Sequence, residues 1–565
     1  MKLINKIKNN KFLFILLSLL TLFRIMIAIR IPLQLQADAM YDDYLFVRYA
    51  KSLLTFDWLG SFDQFTLAKG ISFPFFLITN YLLGIPYYLA LIVLYIFSII
   101  VFVLTIKKII KNKYYLSFLY LFLLFSPVML HVENVQKVYR GGVLISFVLL
   151  VVSGIIGLYL NINDKKRTIY TILLSICLPF FWFLKEDSIW ILPLLCVGAL
   201  FTIYKVYKSK DRVIKKAIMI IIPFISLFAI SFGYKSINYF KYGEFTITDR
   251  GGTYFKEMIS DLLHIEGKNR DKKYWITNDM MNKAYDNSPT LLLIKEKMDE
   301  KYNSFWTDEN GEINGDIIYW VIKDAAAESG LYKKGGKEVN NFYKKVHNEL
   351  QNAFDTKKLK KNNDFYISSV VKGITKEEIP DYINFMGESL NSLILHDRFD
   401  VGLYPSTGET NELALFDELT MSQTINKDAN KGIYKLSSYY VKICFCIKRI
   451  YSMLGYLLFF AMLIGLCGFI VKFFYNLVKK TSDETFNSMF LITLGLVLTC
   501  FVQFFGTTFF CRFLSIRKVY DYTSIIYPLL QIAEFICLII IVKFVKNRLN
   551  KFLKENKYDR KIKKQ

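Results

Sequence analysis

"FPFFLITNYLL", residues 73–83, carries no charge and is only eleven residues long. Wound as a helix it would rise ~16 Å, about half of the ~30 Å hydrocarbon core of a bilayer. Counting it as a crossing would invert the sidedness of everything after it. Around it lie longer apolar runs, at about 11–30, 86–106, 114–131, 141–160, 168–184, 188–206, 216–234, 450–477, 485–505 and 523–545. Each approaches the ~20 residues a spanning helix needs. If 73–83 does not cross and the N-terminus is cytoplasmic, the basic loops fall together on the cytoplasmic side. These are "KKIIKNK" (Lys107 to Lys113), Lys165–Arg167, Lys205–Lys216, Lys479–Lys480 and the tail 547–565, which ends "KENKYDRKIKKQ". That asymmetry is what orients polytopic proteins. Residues 73–83 are therefore expected to be a re-entrant or interfacial piece, or an extension of the second span.

Composition agrees with a helical polytopic membrane protein. The chain is 53% hydrophobic and 17% aromatic over 565 residues, with mean hydropathy +0.31. A net charge of +24 would raise nucleic acid as a partner in a soluble protein. Here the lysines cluster between apolar segments, where anionic lipid is their simpler partner, so no nucleic acid is expected. The run after "MKLINKIKNNK" is too long for a secretory signal, and Arg24, Arg30 and Pro32 separate it from the small residues of "ADA". It reads as a retained span. The eight cysteines lie in or beside apolar segments, which gives neither a disulfide framework nor a zinc pattern. Heavy use of Lys, Asn, Ile and Tyr points to an AT-rich bacterial gene and hence a bacterial plasma membrane.

With both termini inside, the external face receives a first loop (31–72), "HVENVQKVYRGG" (His131 to Gly142), a corner Lys185–Asp187, a polar stretch Tyr239–Tyr440, and "CRFLSIRKVYDY" (Cys511 to Tyr522). The chain thus divides into a membrane module 1–235, an extracytoplasmic domain 236–446 between spans seven and eight, C-terminal spans 447–546 and the basic tail. Four stretches of the polar domain show helical spacing of apolar residues: "YFKEMISDLLHI", "GDIIYWVIKDAAAESG", "EVNNFYKKVHNELQNAF" and "EEIPDYINFMGESLNSLILHD".

The chemistry-bearing stretch is "DAMYDDYLFVRYAKSLL", Asp38 to Leu54. At ~100° per residue, Leu45, Phe46, Tyr49, Ala50, Leu53 and Leu54 share one face. Tyr44, Arg48, Lys51 and Ser52 share the other. Asp42 and Asp43 fall in the apolar arc, and Asp38 joins them if the helix reaches back that far. Carboxylates turned to apolar surroundings are costly unless paired, hydrogen-bonded or protonated, and such clusters carry raised pKa values. Capping of a helix that starts near Tyr44 would explain one of the acids but not all three. Several cations lie within reach of the same rim. Lys69 either snorkels or aims an ammonium at a phosphate at headgroup depth. Arg24 lies inside the first span near its outer end, and Arg140 stands beside two glycines.

An acidic pair, then Arg48–Tyr49–Ala50, Asp57–Trp58, and Lys69 before Pro74 resembles the first extracytoplasmic loop of GT-C glycosyltransferases. Protein O-mannosyltransferases and the lipid A aminoarabinose transferase are of this kind. The resemblance is sharp over about forty residues and looser over the first 235. The second acid is Asp here, where the mannosyltransferases commonly have Glu. The resemblance implies a GT-C-like bundle, here of about ten transmembrane helices, and an inverting transfer from an outer-leaflet polyprenyl-phosphate sugar to a cell-envelope glycan, lipid, polymer or protein. It assigns Asp42 or Asp43 as the base, with Asp38 as orienter or alternate. Lys69 and Arg140 would hold the lipid phosphate, with Arg24 or Arg512 in reserve. Arg48, Glu186 and Asp187 would touch acceptor or sugar hydroxyls. His131 reads as interfacial. No cluster has metal-ligand spacing, so a divalent cation could bind only through the carboxylates. A lipid-linked glycan flippase would place charges at mid-membrane in several helices, whereas here they gather at the rim. A scaffold or sensor would not need the acids at all.

Overall fold

The computed structural model describes residues 2–562 apart from 162–163, 269–272, 369, 423–434, 482 and 514. The last three residues of the basic tail lie outside the described residues. The chain is helical almost throughout, and the described residues contain one two-stranded ribbon, Tyr366–Ser368 against Val371–Lys372. Among the described residues, eight helices are long and apolar enough to cross a membrane: Lys11–Arg30, Tyr87–Ile106, Gly141–Leu160, Ser188–Ser209, Val213–Tyr242, Lys435–Val478, Glu484–Phe510 and Ile516–Asn550. This is the make-up of a polytopic membrane protein.

Two of the ten expected spans differ. Residues 114–131 give a helix Lys113–Leu124, a 3-10 turn Pro127–Met129 and one further turn Val132–Val135. Pro127 supplies the break: it has no N–H, and it forces Ser126 into an extended conformation (ψ 127°) that a helix cannot continue through. The carbonyls freed there are met by Arg24, whose Nε and Nη2 donate to Leu124 O and Met129 O at 3.3 and 2.5 Å. Residues 168–184 do form a helix, Asp164–Trp182, but it opens on four charged residues and contains Pro179. It packs against Gly141–Leu160 so closely that a Cβ on Gly157 would lie 2.2 Å from the Tyr170 ring.

The stretch 73–83 folds as the short helix Ser72–Leu82 and does not continue into the second span. Gly84, at φ +68°, and Pro86 turn the chain before Tyr87. Gly141–Leu160 is the most enclosed spanning helix, surrounded by Tyr87–Ile106, Asp164–Trp182 and Ser188–Ser209.

The polar stretch is mostly helical, with Tyr254–His264, Ile317–Glu328, Gly336–Asp355 and Ile379–Leu395 on the four stretches read as helices. The helices between 254 and 355 enclose their own core around Met258, Leu262, Ile322 and Val346. Ile379–Leu395 and Thr410–Thr420 instead bury Leu393, Phe416 and Leu419 in the core of the bundle. Val213–Tyr242 and Lys435–Val478 run 30 and 44 residues. At ~1.5 Å per residue both overrun the bilayer core, so the divisions expected near 235 and 447 fall inside continuous helices.

Candidate active site

The helix Asp43–Leu54 buries Leu45, Phe46, Val47, Tyr49 and Ala50 against the bundle and Ser72–Leu82. It begins at Asp43, so Asp38 is not on it. Asp38 is exposed and accepts from the Thr407 hydroxyl at 2.5 Å, beside a backbone pairing of Gln36 with Thr407. Asp42 occupies the N-cap position yet makes no capping hydrogen bond. Its Oδ1 accepts instead from Lys69 Nζ at 2.8 Å and from the Tyr139 hydroxyl at 3.3 Å. Its side chain is 56% exposed where it lines a cavity. Burial pushes the Asp42 carboxyl up, while the Lys69 ammonium, Arg140 and Tyr139 carry it below its usual value.

Asp43 is the contrary case. It is 2% exposed, and its Oδ2 has no hydrogen-bond partner among the described residues. Burial drives its carboxyl well above the usual range. Lys137 opposes that shift, and Asp42 and Glu133 add to it. Adjacent carboxylates are thus held apart, one ionised by a lysine and one poised to hold a proton.

Both aspartates line a cavity of about 280 Å³ on the same end of the bundle as the polar stretch. Its cations are Lys137, Arg140, Lys185, Arg517 and Lys518, its other acids are Glu133 and Asp521, and Leu144 and Ile525 contribute apolar wall. The buried Arg140 guanidinium grips Glu186 at 2.8 and 3.0 Å and donates to Leu184 O, leaving its buried Nε without a partner. Glu186 is held down to about 2, because Arg140 and Lys69 outweigh the burial that would raise it. Glu186 also accepts from Gly70 N at 3.2 Å. Only glycine fits there, since a Cβ would lie 2.1 Å from Phe183 O. Lys69 and Arg140 share the faces of Phe46 and Tyr139 at 5.4–5.9 Å.

Of the residues singled out from sequence, Asp42, Asp43 and Arg140 meet at the cavity. Lys69 and Glu186 stand behind them as their ion-pair partners, and Asp187 reaches the rim through Lys185 at 2.7 Å. The others lie elsewhere. Arg24 serves the broken helix, and Arg48 pairs with Asp63 at 2.5 Å. Arg512 donates to the carbonyls of Phe509, Lys372 and Gly373. His131 is fully buried. Its Nδ1 lies 3.0 Å from both the N and the O of Asp400, and its Nε2 lies 2.8 Å from Asp521 Oδ1.

Sequence reasoning missed Glu133, Lys137, Tyr139, Lys518 and Asp521. The i,i+4 spacing of Glu133 and Lys137 was a usable signal, and they pair at 2.7 Å. Nothing local marks Lys518, which has neither an ion pair nor a hydrogen bond among the described residues. No group of three or more His, Cys, Asp or Glu suited to a metal occurs among the described residues. The arrangement can take a proton on a buried carboxylate and hold an anion beside it. Comparison with protein-family models, with curated proteins and with solved structures finds no match.

Proposed function

We propose that the chain is a GT-C-type membrane glycosyltransferase of the bacterial plasma membrane, with cytoplasmic termini and the cavity on the external face. It would move a sugar from an outer-leaflet polyprenyl phosphate to a hydroxyl of a cell-envelope glycan, lipid, polymer or protein. The observation that carries this reading is Asp43: a buried carboxylate with an unpartnered oxygen, facing a cavity that also holds unpaired cationic donors. A carboxylate whose hold on a proton is strengthened by burial suits a general base. In the reaction Asp43 accepts the acceptor's hydroxyl proton as that oxygen attacks the anomeric carbon from the face opposite the phosphate. The bond from anomeric carbon to phosphate oxygen breaks, its electron pair leaves with the polyprenyl phosphate, and Lys518 with Arg140 Nε stabilises the departing charge. Asp42, tied to Lys69 and Tyr139, stays ionised beside Asp43 and keeps the Lys69 ammonium in place. Charges gathered at a rim favour this over passage of a substrate across the bilayer.

The test is to reconstitute the protein in proteoliposomes with a panel of short-chain polyprenyl-phosphate hexoses and pentoses. Release of polyprenyl phosphate is then measured for wild type, Asp42→Asn and Asp43→Asn. In cells, normal surface glycans from a well-expressed Asp43→Asn protein, alongside a glycan defect in the deletion strain, would refute the assignment.

A further inference from the structure

A second hollow, of about 760 Å³, lies at the other end of the helix Asp43–Leu54. Its walls include Leu54, Phe56, Phe75, Leu82, Ile237 and Phe240. The volume falls in the ~300–1,000 Å³ range of small-molecule sites, but the lining offers almost nothing polar. Phe56 is 99% exposed, Phe240 84% and Leu82 71%. Phe56 and Trp58 also hold left-handed backbone angles, φ +58° and +53°. A non-glycine residue adopts such a conformation at a cost. Backbone hydrogen bonds and the Trp58 indole hold this turn, and it presents the Phe56 phenyl ring to the outside. That ring can be covered only from the surroundings.

The surroundings are indicated by continuity. Ile237 and Phe240 end the spanning helix Val213–Tyr242, whose Ile230 and Phe232 are exposed on its lipid-facing length. Ser72–Leu82, the opposite wall, carries no charge. The charges stand at the rim, where Lys241 pairs with Asp57 at 2.5 Å, and Trp58 donates its indole N–H to Asn238 at 2.8 Å. Apolar floor, interfacial tryptophan and rim ion pair form the sequence of layers found at a headgroup boundary.

We infer that this hollow is a lipid site, filled by an acyl chain of an outer-leaflet phospholipid, so that the turn Thr55–Leu59 and the helix Ser72–Leu82 are immersed in the external leaflet. The occupant is a bilayer phospholipid and not a substrate lipid headed at the acid cavity. A substrate lipid headed at Asp43 would first have to cross the ~16 Å of helix between Asp43 and Leu54, whereas a bilayer phospholipid enters directly from the leaflet. The inference does not depend on the transferase reading. Its role is to fix the depth at which the acid-bearing helix sits.

The experiment adds a reporter where nothing is packed. Phe56→Trp, in the full chain reconstituted in phosphatidylcholine bilayers, gives an added emission read as the difference from wild type. Bromines on the acyl chains are expected to quench that emission, and aqueous iodide is not. Adding Phe240→Glu is expected to abolish the bromine quenching. The native Trp58 signal, read as wild type minus Trp58→Phe, should behave in the same way. Quenching by iodide and not by brominated chains would overturn the inference by making the face wet. Protection from both quenchers, with a cross-linked dimer, would also overturn it by giving the face to a second copy of the chain.

Discussion

Replacing Asp43 with Asn removes one charge and almost no volume, and the consequences for activity and stability should run in opposite directions. Removal of a general base costs roughly 10²–10⁴-fold in rate. Ordinarily, removing one partner of a buried ion pair also costs ~3–5 kcal/mol of stability. Asp43 has no such pair to lose, because its Oδ2 is buried without a partner and burial holds its carboxyl well above the usual range. A carboxyl whose folded pKa exceeds its unfolded value stabilises the fold at low pH. That contribution is lost from ~pH 4, the unfolded value, up to the folded pKa. Wild type should therefore grow less stable and more active over the same rise in pH, since the base works only when ionised. Asp43→Asn should remove that component of both slopes and leave the melting temperature at pH 8 equal to or above that of wild type. The assay pairs polyprenyl-phosphate release with thermal unfolding of the detergent-solubilised protein at pH 5, 6, 7 and 8, each taken as wild type minus variant so that other titrating groups cancel. A variant that keeps wild-type release, or one that melts several degrees lower at pH 8, would refute the reasoning.

Arg140→Met should strand the Glu186 carboxylate at a cost of ~3–5 kcal/mol, and the double variant with Glu186→Gln should recover much of the melting temperature without recovering transfer. Gly70→Ala should lower the melting temperature by the ~1–3 kcal/mol of an overpacked site, since its Cβ meets Phe183 O at 2.1 Å. Lys518 is exposed and unpaired, so Lys518→Ala should shift stability by less than ~0.5 kcal/mol. It should nevertheless raise the KM for the lipid-phosphate donor and weaken the salt dependence of that KM.

The long apolar helices were legible because a bilayer imposes a length on every apolar run. Where the reading slipped, local chemistry overrode length: Pro127 cut one expected span into a helix and two turns. The overrunning ends of Val213–Tyr242 and Lys435–Val478 escaped notice because hydropathy falls where a helix leaves lipid, although its hydrogen bonding continues. For the site, the face carrying Asp42 and Asp43 followed from helical spacing alone. What spacing could not supply was partnership. Lys69 and Asp42 are 27 residues apart, Arg140 and Glu186 46, Asp400 and Arg517 117, and His131 and Asp521 390. Rim charges were visible, but not which of them neutralise one another. Arg512 was chosen from its loop on charge, while Arg517 and Lys518, five and six residues on, are the cations that reach the cavity.

Partnership is also what separates working groups from structural ones here. Around the cavity lined by Asp42 and Asp43, Lys69 is engaged by Asp42, Lys137 by Glu133, Arg140 by Glu186, Lys185 by Asp187 and Arg517 by Asp400. Asp521 accepts from His131. Two charged groups remain among the described residues lining the cavity, Lys518 and Asp43. A site built only for stability would have no reason to keep an unmatched carboxylate in its wall, since burying one is unfavourable. The long polar stretch holds it there from two directions. Tyr41, the residue before the acids, packs on Trp320 at 4.5 Å, while Thr407 pairs with the backbone of Leu35 and Ala37. The proposed displacement of a sugar from phosphate would leave one proton and one anion to be accommodated. A single uncommitted base and a single uncommitted cation are the complement to that pair, and the paired charges around them are the frame that keeps both in place.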